Sequence, residues 1–131
     1  MAEKLKVLYV DDEPDIRTIV EMAFALDPAI EVRLASSGQH VLEMLQQGAW
    51  IPDLALIDML MPGMTGTDVM AALRERGWTA NIPIVFVTAS AWQKDIDRFV
   101  EAGALGIIAK PFDPLTLAET VRSFAEQAKR E

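Results

Sequence analysis

Four polar sites interrupt otherwise apolar stretches of this chain: Asp11-Asp12-Glu13-Pro14-Asp15, Asp58, Thr88 and Lys110-Pro111. With no cysteine and only one histidine, His40, any metal site must be built from oxygen. Hard oxygen ligands suit magnesium, which takes one or two carboxylates and keeps several waters. Other small divalent cations such as manganese are compatible with the same set. Asp11, Asp12 and Asp58 carry three negative charges against the one positive charge of Lys110, and carboxylates gathered this way either raise a pKa or call for a cation. A lysine and a hydroxyl beside a metal-bound carboxylate suit a phosphoryl group, whose charge they neutralise and orient. An aspartate can itself be the nucleophile, forming an acyl phosphate.

That chemistry requires residues 99 positions apart to meet, so the elements that carry them matter. Val7–Val10, Leu54–Ile57, Ile84–Val87 and Ile107–Ala109 are unbroken apolar runs, as expected of strands buried on both faces of a parallel sheet. Glu31–Ala35 alternates instead, which places it at a sheet edge. Helical spacing links Ile16, Ile19, Val20 and Ala23 behind Pro14; Val41, Leu42 and Leu45 before Gly48; and Val69, Met70 and Leu73 before Gly77. It also links Ile96, Phe99 and Val100 before Gly103, and Leu117, Val121, Phe124, Ala125 and Ala128 after Pro114.

Strand–helix alternation five times over predicts an α/β fold, a doubly wound parallel sheet with helices on both faces. With the second strand at the edge the order is 2-1-3-4-5. Ligands then bind beyond the strands' carboxyl ends, where the winding reverses between strands one and three. Asp11, Asp12 and Asp58 fall at that reversal, and Thr88 and Lys110 on the neighbouring strands. Each residue alone has an ordinary reading. Asp12 or Asp15 can cap a helix, Thr88 can close a strand locally, and Lys110 can be a surface lysine. Their coincidence at one sheet end argues for a site.

The chain has 131 residues, 51% hydrophobic and 24% charged, the size and composition of one globular domain, 1–131. Twelve bases against 20 acids give a net charge of -8, which disfavours nucleic acid and anionic membranes as partners. No stretch reaches the roughly 20 apolar residues of a membrane span, and the N-terminal run is too short for a signal peptide. The expected location is the cytoplasm.

From about Lys6 to about Ala128 the chain resembles the receiver domain of two-component response regulators. The resemblance rests on Val10-Asp11-Asp12-Glu13-Pro14, Asp58-Met59-Leu60-Met61-Pro62-Gly63-Met64-Thr65-Gly66, Val87-Thr88-Ala89 and Lys110-Pro111-Phe112. It implies a flavodoxin-like fold in which Asp58 accepts a phosphoryl group from a histidine of a sensor kinase or phosphotransfer protein. Asp12 and Asp58 would ligate magnesium, Asp11 would help directly or through water, and the Leu60 carbonyl would be a further ligand. Thr88 and Lys110 would each bond a phosphoryl oxygen, and small Ala89 would leave room and offer its amide. Ile16 and Phe112 would lie on the face that docks the kinase, or simply belong to the core. A downstream protein effector is implied, with the chain a monomer or a phosphorylation-dependent dimer. No output domain is expected within these residues.

Ile107 departs from the pattern, standing where many receivers carry Tyr or Phe, which puts an aromatic-rotamer readout in doubt. Leu60 and Ser90 occupy positions that tune phosphoryl lifetime, and apolar Leu60 implies slow self-dephosphorylation. Met59, Met61 and Met64 are expected to pack their loop, Trp92 to be half-buried at a helix start, and His40 to cap or face solvent, remote from the site. Three rivals stand beside the receiver reading. An aspartyl phosphatase would need Asp-x-Asp after the first strand. A flavin or dinucleotide binder would need a Gly-rich loop there. A docking module that never takes phosphate would not need the acidic set.

Overall fold

A computed structural model of the chain describes residues 4–46, 48–89 and 92–130. Five strands and five helices alternate: β1 Leu5–Val10, α1 Pro14–Ala25, β2 Ile30–Ala35, α2 Gly38–Leu45, β3 Leu54–Asp58, α3 Gly66–Arg74, β4 Ile84–Thr88, α4 Gln93–Glu101, β5 Gly106–Ala109 and α5 Leu117–Lys129. All pairings are parallel, in the order β2-β1-β3-β4-β5. The alternating segment is the edge strand β2, and β3 and β4, buried at every position, lie inside the sheet. This is the doubly wound, flavodoxin-like arrangement expected from the sequence.

Side-chain alternation along the strands divides the core into two layers. Leu8, Val10, Ile57, Ile84 and Phe86 face α2, α3 and α4. Val7, Tyr9, Leu56, Val85 and Val87 face α1 and α5. Tyr9 and Asp11, two apart, therefore share the α1–α5 side.

The helices depart from the expected stripes in two places. Ile19 is 39% exposed and Val100 47% exposed. On α1 the apolar face is centred on Val20, Ala23 and Phe24, leaving Ile19 at its margin. On α4, which packs towards the end of the sheet at β5, Phe99 is the buried anchor, meeting Phe86 edge-on at 5.3 Å. Trp92 precedes α4 with its side chain 72% exposed, not half-buried. Ser90 lies outside the described residues.

The start of α3 is fixed tightly against the β3 loop. Thr65 and Asp68 form a reciprocal capping box. A Cβ on Gly66 would come within 3.0 Å of the Asp58 carbonyl oxygen and 3.1 Å of Met59 Cα, so any larger residue would press the β3 loop backbone away by a few tenths of an ångström. Gly63 turns the loop with φ 85°, a conformation glycine adopts without strain. Met61 is buried and Met59 and Met64 pack against the core, the loop-packing role expected of them.

Candidate functional site

The sheet register brings the polar residues to one end. Asp11 directly follows β1 and its amide still reaches the Ala35 carbonyl at 3.1 Å. Asp58 is the last residue of β3 and Thr88 the last of β4. Lys110 directly follows β5, its amide donating to the Thr88 carbonyl at 2.8 Å. Asp11, Asp12, Asp58, Thr88 and Lys110 thus crown neighbouring strands at the predicted crevice.

Their side chains converge. One carboxylate oxygen each of Asp11, Asp12 and Asp58 lies within 4.8 Å of the others. Lys110 Nζ bridges two of them, 3.0 Å from Asp11 Oδ2 and 3.3 Å from Asp58 Oδ1. Asp11 is completely buried and Asp58 nearly so, whereas Asp12 faces outward. Asp11 is the most constrained: Oδ1 accepts from the Glu13 amide and Oδ2 from the Tyr9 hydroxyl, both at 3.0 Å. Its main-chain carbonyl accepts from Arg17 Nη1 at 2.6 Å.

Electrostatics follow from this crowding. Burial, then repulsion from Asp11, pushes the Asp58 carboxyl up to about 6, against the opposing pull of Lys110 and the Leu60 amide. Burial alone would lower the Lys110 pKa, but the Asp11 hydrogen bond and the charges of Asp11 and Asp58 outweigh it and raise the ammonium's pKa. Burial and the neighbouring Asp11 charge raise the Tyr9 hydroxyl's pKa, so it stays protonated and donates.

A pH dependence is expected from Asp58. Its folded pKa lies above its unfolded one, so its contribution to stability is complete below about 4 and is lost as pH rises through about 6. Metal-free protein should gain roughly 1–3 kcal/mol from this group between pH 7.5 and 4.5. Denaturant melts across that range check it, and a flat or opposite slope attributable to Asp58, measured against Asp58→Asn, contradicts it.

The donor set is chemically suited to magnesium: three hard carboxylates, one of them exposed, and no soft ligand. The Lys110 ammonium leaves two of the three negative charges unmatched, the charge of one divalent cation.

Residues proposed from the sequence mostly land where expected. Leu60 sits beside Asp58 with its side chain 76% exposed. Ala89, Ile16, Phe112 and Lys110 border a groove of about 400 Å³ at the mouth of the site. Ile16 and Phe112 also pack against the core, as the second of their two readings expected. His40 Nδ1 accepts from the Ser36 amide at 3.1 Å, a local capping contact. Sequence reasoning missed Tyr9 and Arg17. The two-residue spacing from Tyr9 to Asp11 on one strand face was a readable signal; nothing in the pattern pointed to Arg17.

The fold and the acidic crevice are compatible with a phosphoacceptor signalling domain. The chain belongs to the response regulator receiver domain family, whose family model matches residues 7–122. It is 35% identical over 128 residues to the nitrate/nitrite response regulator NarP of Escherichia coli, covering 98% of this chain and 58% of that protein. It is 32% identical over 123 residues to the chemotaxis protein CheY of Pseudomonas aeruginosa, covering 94% of this chain and 98% of the relative. The chemotaxis response regulator CheY4 of Vibrio cholerae superposes with a TM-score of 0.80 at 30% identity, over 92% of this chain and 98% of that one. The chain spans between half and three-fifths of the length of NarP and several similar curated relatives. No described helix is long and apolar enough to cross a membrane.

Proposed function

We propose that residues 1–131 act as one phosphoacceptor domain in the cytoplasm, with Asp58 taking the phosphoryl group of a phosphohistidine on a sensor kinase or phosphotransfer protein. The observation that carries this reading is the Lys110 ammonium bridging Asp11 and Asp58 inside a carboxylate triad. Asp12 and Asp58 side chains and the Leu60 carbonyl would hold magnesium, with Asp11 contributing directly or through water. When bound, the metal would neutralise charge developing on the transferred group.

In the transfer, an Asp58 oxygen bonds phosphorus as the phosphorus–nitrogen bond breaks. The electron pair stays on the donor's ring nitrogen, and the donor leaves as histidine. Lys110 pairs with one phosphoryl oxygen, the Thr88 hydroxyl bonds another, and the Ala89 amide donates beside small Ala89. Movement of Thr88 and Lys110 toward the phosphoryl group would bias a two-state equilibrium read by a downstream protein effector. Ile107 is only partly buried and lacks an aromatic ring, so the output would not depend on a ring turning inward. The acidic surface, net -8, argues against direct nucleic-acid contact.

The test is intact mass after incubation with magnesium and a small acyl-phosphate donor. One added phosphoryl group is expected. No uptake, with a suitable kinase also supplied, would favour a docking module that never takes phosphate.

Self-dephosphorylation should be slow, because exposed Leu60 offers no hydrogen bond to an attacking water. Leu60→Asn should shorten the aspartyl-phosphate half-life by roughly five-fold, the equivalent of one hydrogen bond of about 1 kcal/mol. An unchanged or longer half-life contradicts this.

A further inference from the structure

Asp11 is a fully buried carboxylate whose charge is held by side-chain donors from strand β1 and from the residue that follows β5. Its Oδ2 accepts from Tyr9 and Lys110, each at 3.0 Å, and its Oδ1 accepts from the Glu13 amide at 3.0 Å. These donors have different futures. Lys110 is shared with Asp58 at 3.3 Å and, on the reading above, turns to the incoming phosphoryl group. The Glu13 amide is main chain at the start of α1. Tyr9 belongs to β1, the strand that delivers Asp11, and its buried ring packs edge-on against Phe112 at 6.4 Å.

We propose that Tyr9 is a positioning residue for the acidic crevice: its hydroxyl keeps Asp11 oriented as an ionised ligand once Lys110 leaves it. A buried carboxylate that loses its ammonium needs another strong donor, because an unmatched charge in this interior is strongly unfavourable. Tyr9 supplies that donor from a rigid element, so Lys110 is released without Asp11 turning away from the metal position. The tyrosine does not touch the phosphoryl group. It acts through Asp11.

The inference rests on Asp11 helping to hold magnesium, and a double-mutant cycle separates the two claims. Magnesium affinity is measured by titration calorimetry for the unaltered protein, Tyr9→Phe, Lys110→Met and the double variant. Phenylalanine keeps the ring and its packing and removes only the hydroxyl. With Lys110 present, Tyr9→Phe should weaken magnesium binding about three-fold, since two donors to Asp11 remain. In the Lys110→Met background the same change should weaken it by about thirty-fold or more, leaving one backbone donor for a buried charge.

A role in packing alone predicts the same factor in both backgrounds, and that result would overturn the inference. If the double variant does not fold, Tyr9→Phe decides alone: a three-fold weakening supports the proposal, and unchanged affinity overturns it. Failure of the unaltered protein to bind magnesium would overturn the metal reading and this inference with it. Tight binding by the unaltered protein with no coupling would overturn only the role of Tyr9.

Discussion

Asp58→Asn is expected to abolish phosphoryl uptake and, in the same protein, to raise metal-free stability at neutral pH. The first effect follows from removing the oxygen proposed as the nucleophile, since an amide is a poor nucleophile towards phosphorus. The second follows from the crevice. Burial and Asp11 push the Asp58 carboxyl up to about 6, so at pH 7 the group is still ionised but holding that charge in the crevice costs the fold stability. Replacing it with a neutral amide of similar shape relieves that repulsion and should add about 1–3 kcal/mol. For a domain of this size that is a melting temperature higher by roughly 3–15 °C. Magnesium should stabilise the unaltered protein by mass action and the variant much less, because one of the carboxylates proposed to hold it is gone. Thermal melts with and without magnesium, beside mass measurements, check both effects. A less stable variant would mean that Asp58 is favourably paired rather than held under repulsion.

Lys110→Met should separate phosphoryl transfer from metal binding. The ammonium sits 3.0 Å from Asp11 and 3.3 Å from Asp58, placed to meet charge on the transferred group. Losing one preorganised cation from such a site lowers the transfer rate by about 10²–10³-fold. The same change removes a positive charge that competes with a cation for the carboxylates, so magnesium affinity should hold or tighten. Phosphorylation kinetics at saturating magnesium, paired with calorimetry, read the two effects separately. A rate close to that of the unaltered protein would remove Lys110 from the transfer step. A parallel collapse of metal affinity would make it a support of the carboxylates instead.

The contrast between runs and stripes explains how much could be read from the chain. Val7–Val10, Leu54–Ile57 and Ile84–Val87 sit in the sheet interior, where both faces are covered and no alternation survives. The alternating Glu31–Ala35 sits at one edge, as expected, but the unbroken run Ile107–Ala109 forms the opposite edge strand β5, where Ile107 is only partly buried and Ala109 is exposed, so the contrast located one edge and not the other. Helix faces were less legible because their periodicity does not say where a stripe ends. Ile19 and Val100 fit their spacing yet lie at the margins of what α1 and α4 bury. Trp92 and Trp50 are the same residue type at element boundaries with opposite fates. Trp92 is exposed, whereas Trp50 is buried with its indole donating to Glu31 Oε2 at 2.6 Å and Arg33 over its ring. Only tertiary neighbours distinguish them.

The site was legible in its charged members and obscure in its supports. Asp11, Asp12, Asp58, Thr88 and Lys110 stand out because polar residues after apolar runs are conspicuous. Tyr9 hides inside such a run, where its ring satisfies the pattern and its hydroxyl goes unnoticed. Arg17 reads as an exposed helix residue, yet it reaches back to the Asp11 carbonyl across the turn that starts α1. This contact between a side chain and the Asp11 main-chain carbonyl leaves no trace in residue spacing.

The central claim is that this crevice directs a phosphoryl group to one carboxylate among three neighbours. Fragment-level mass spectrometry of the unaltered protein, after incubation with magnesium and a small acyl-phosphate donor, tests it most directly. A single phosphoryl group on Asp58, dependent on the metal, is expected. A phosphoryl group found on Asp11, Asp12 or His40 in its place, or equal uptake without a divalent cation, would contradict it.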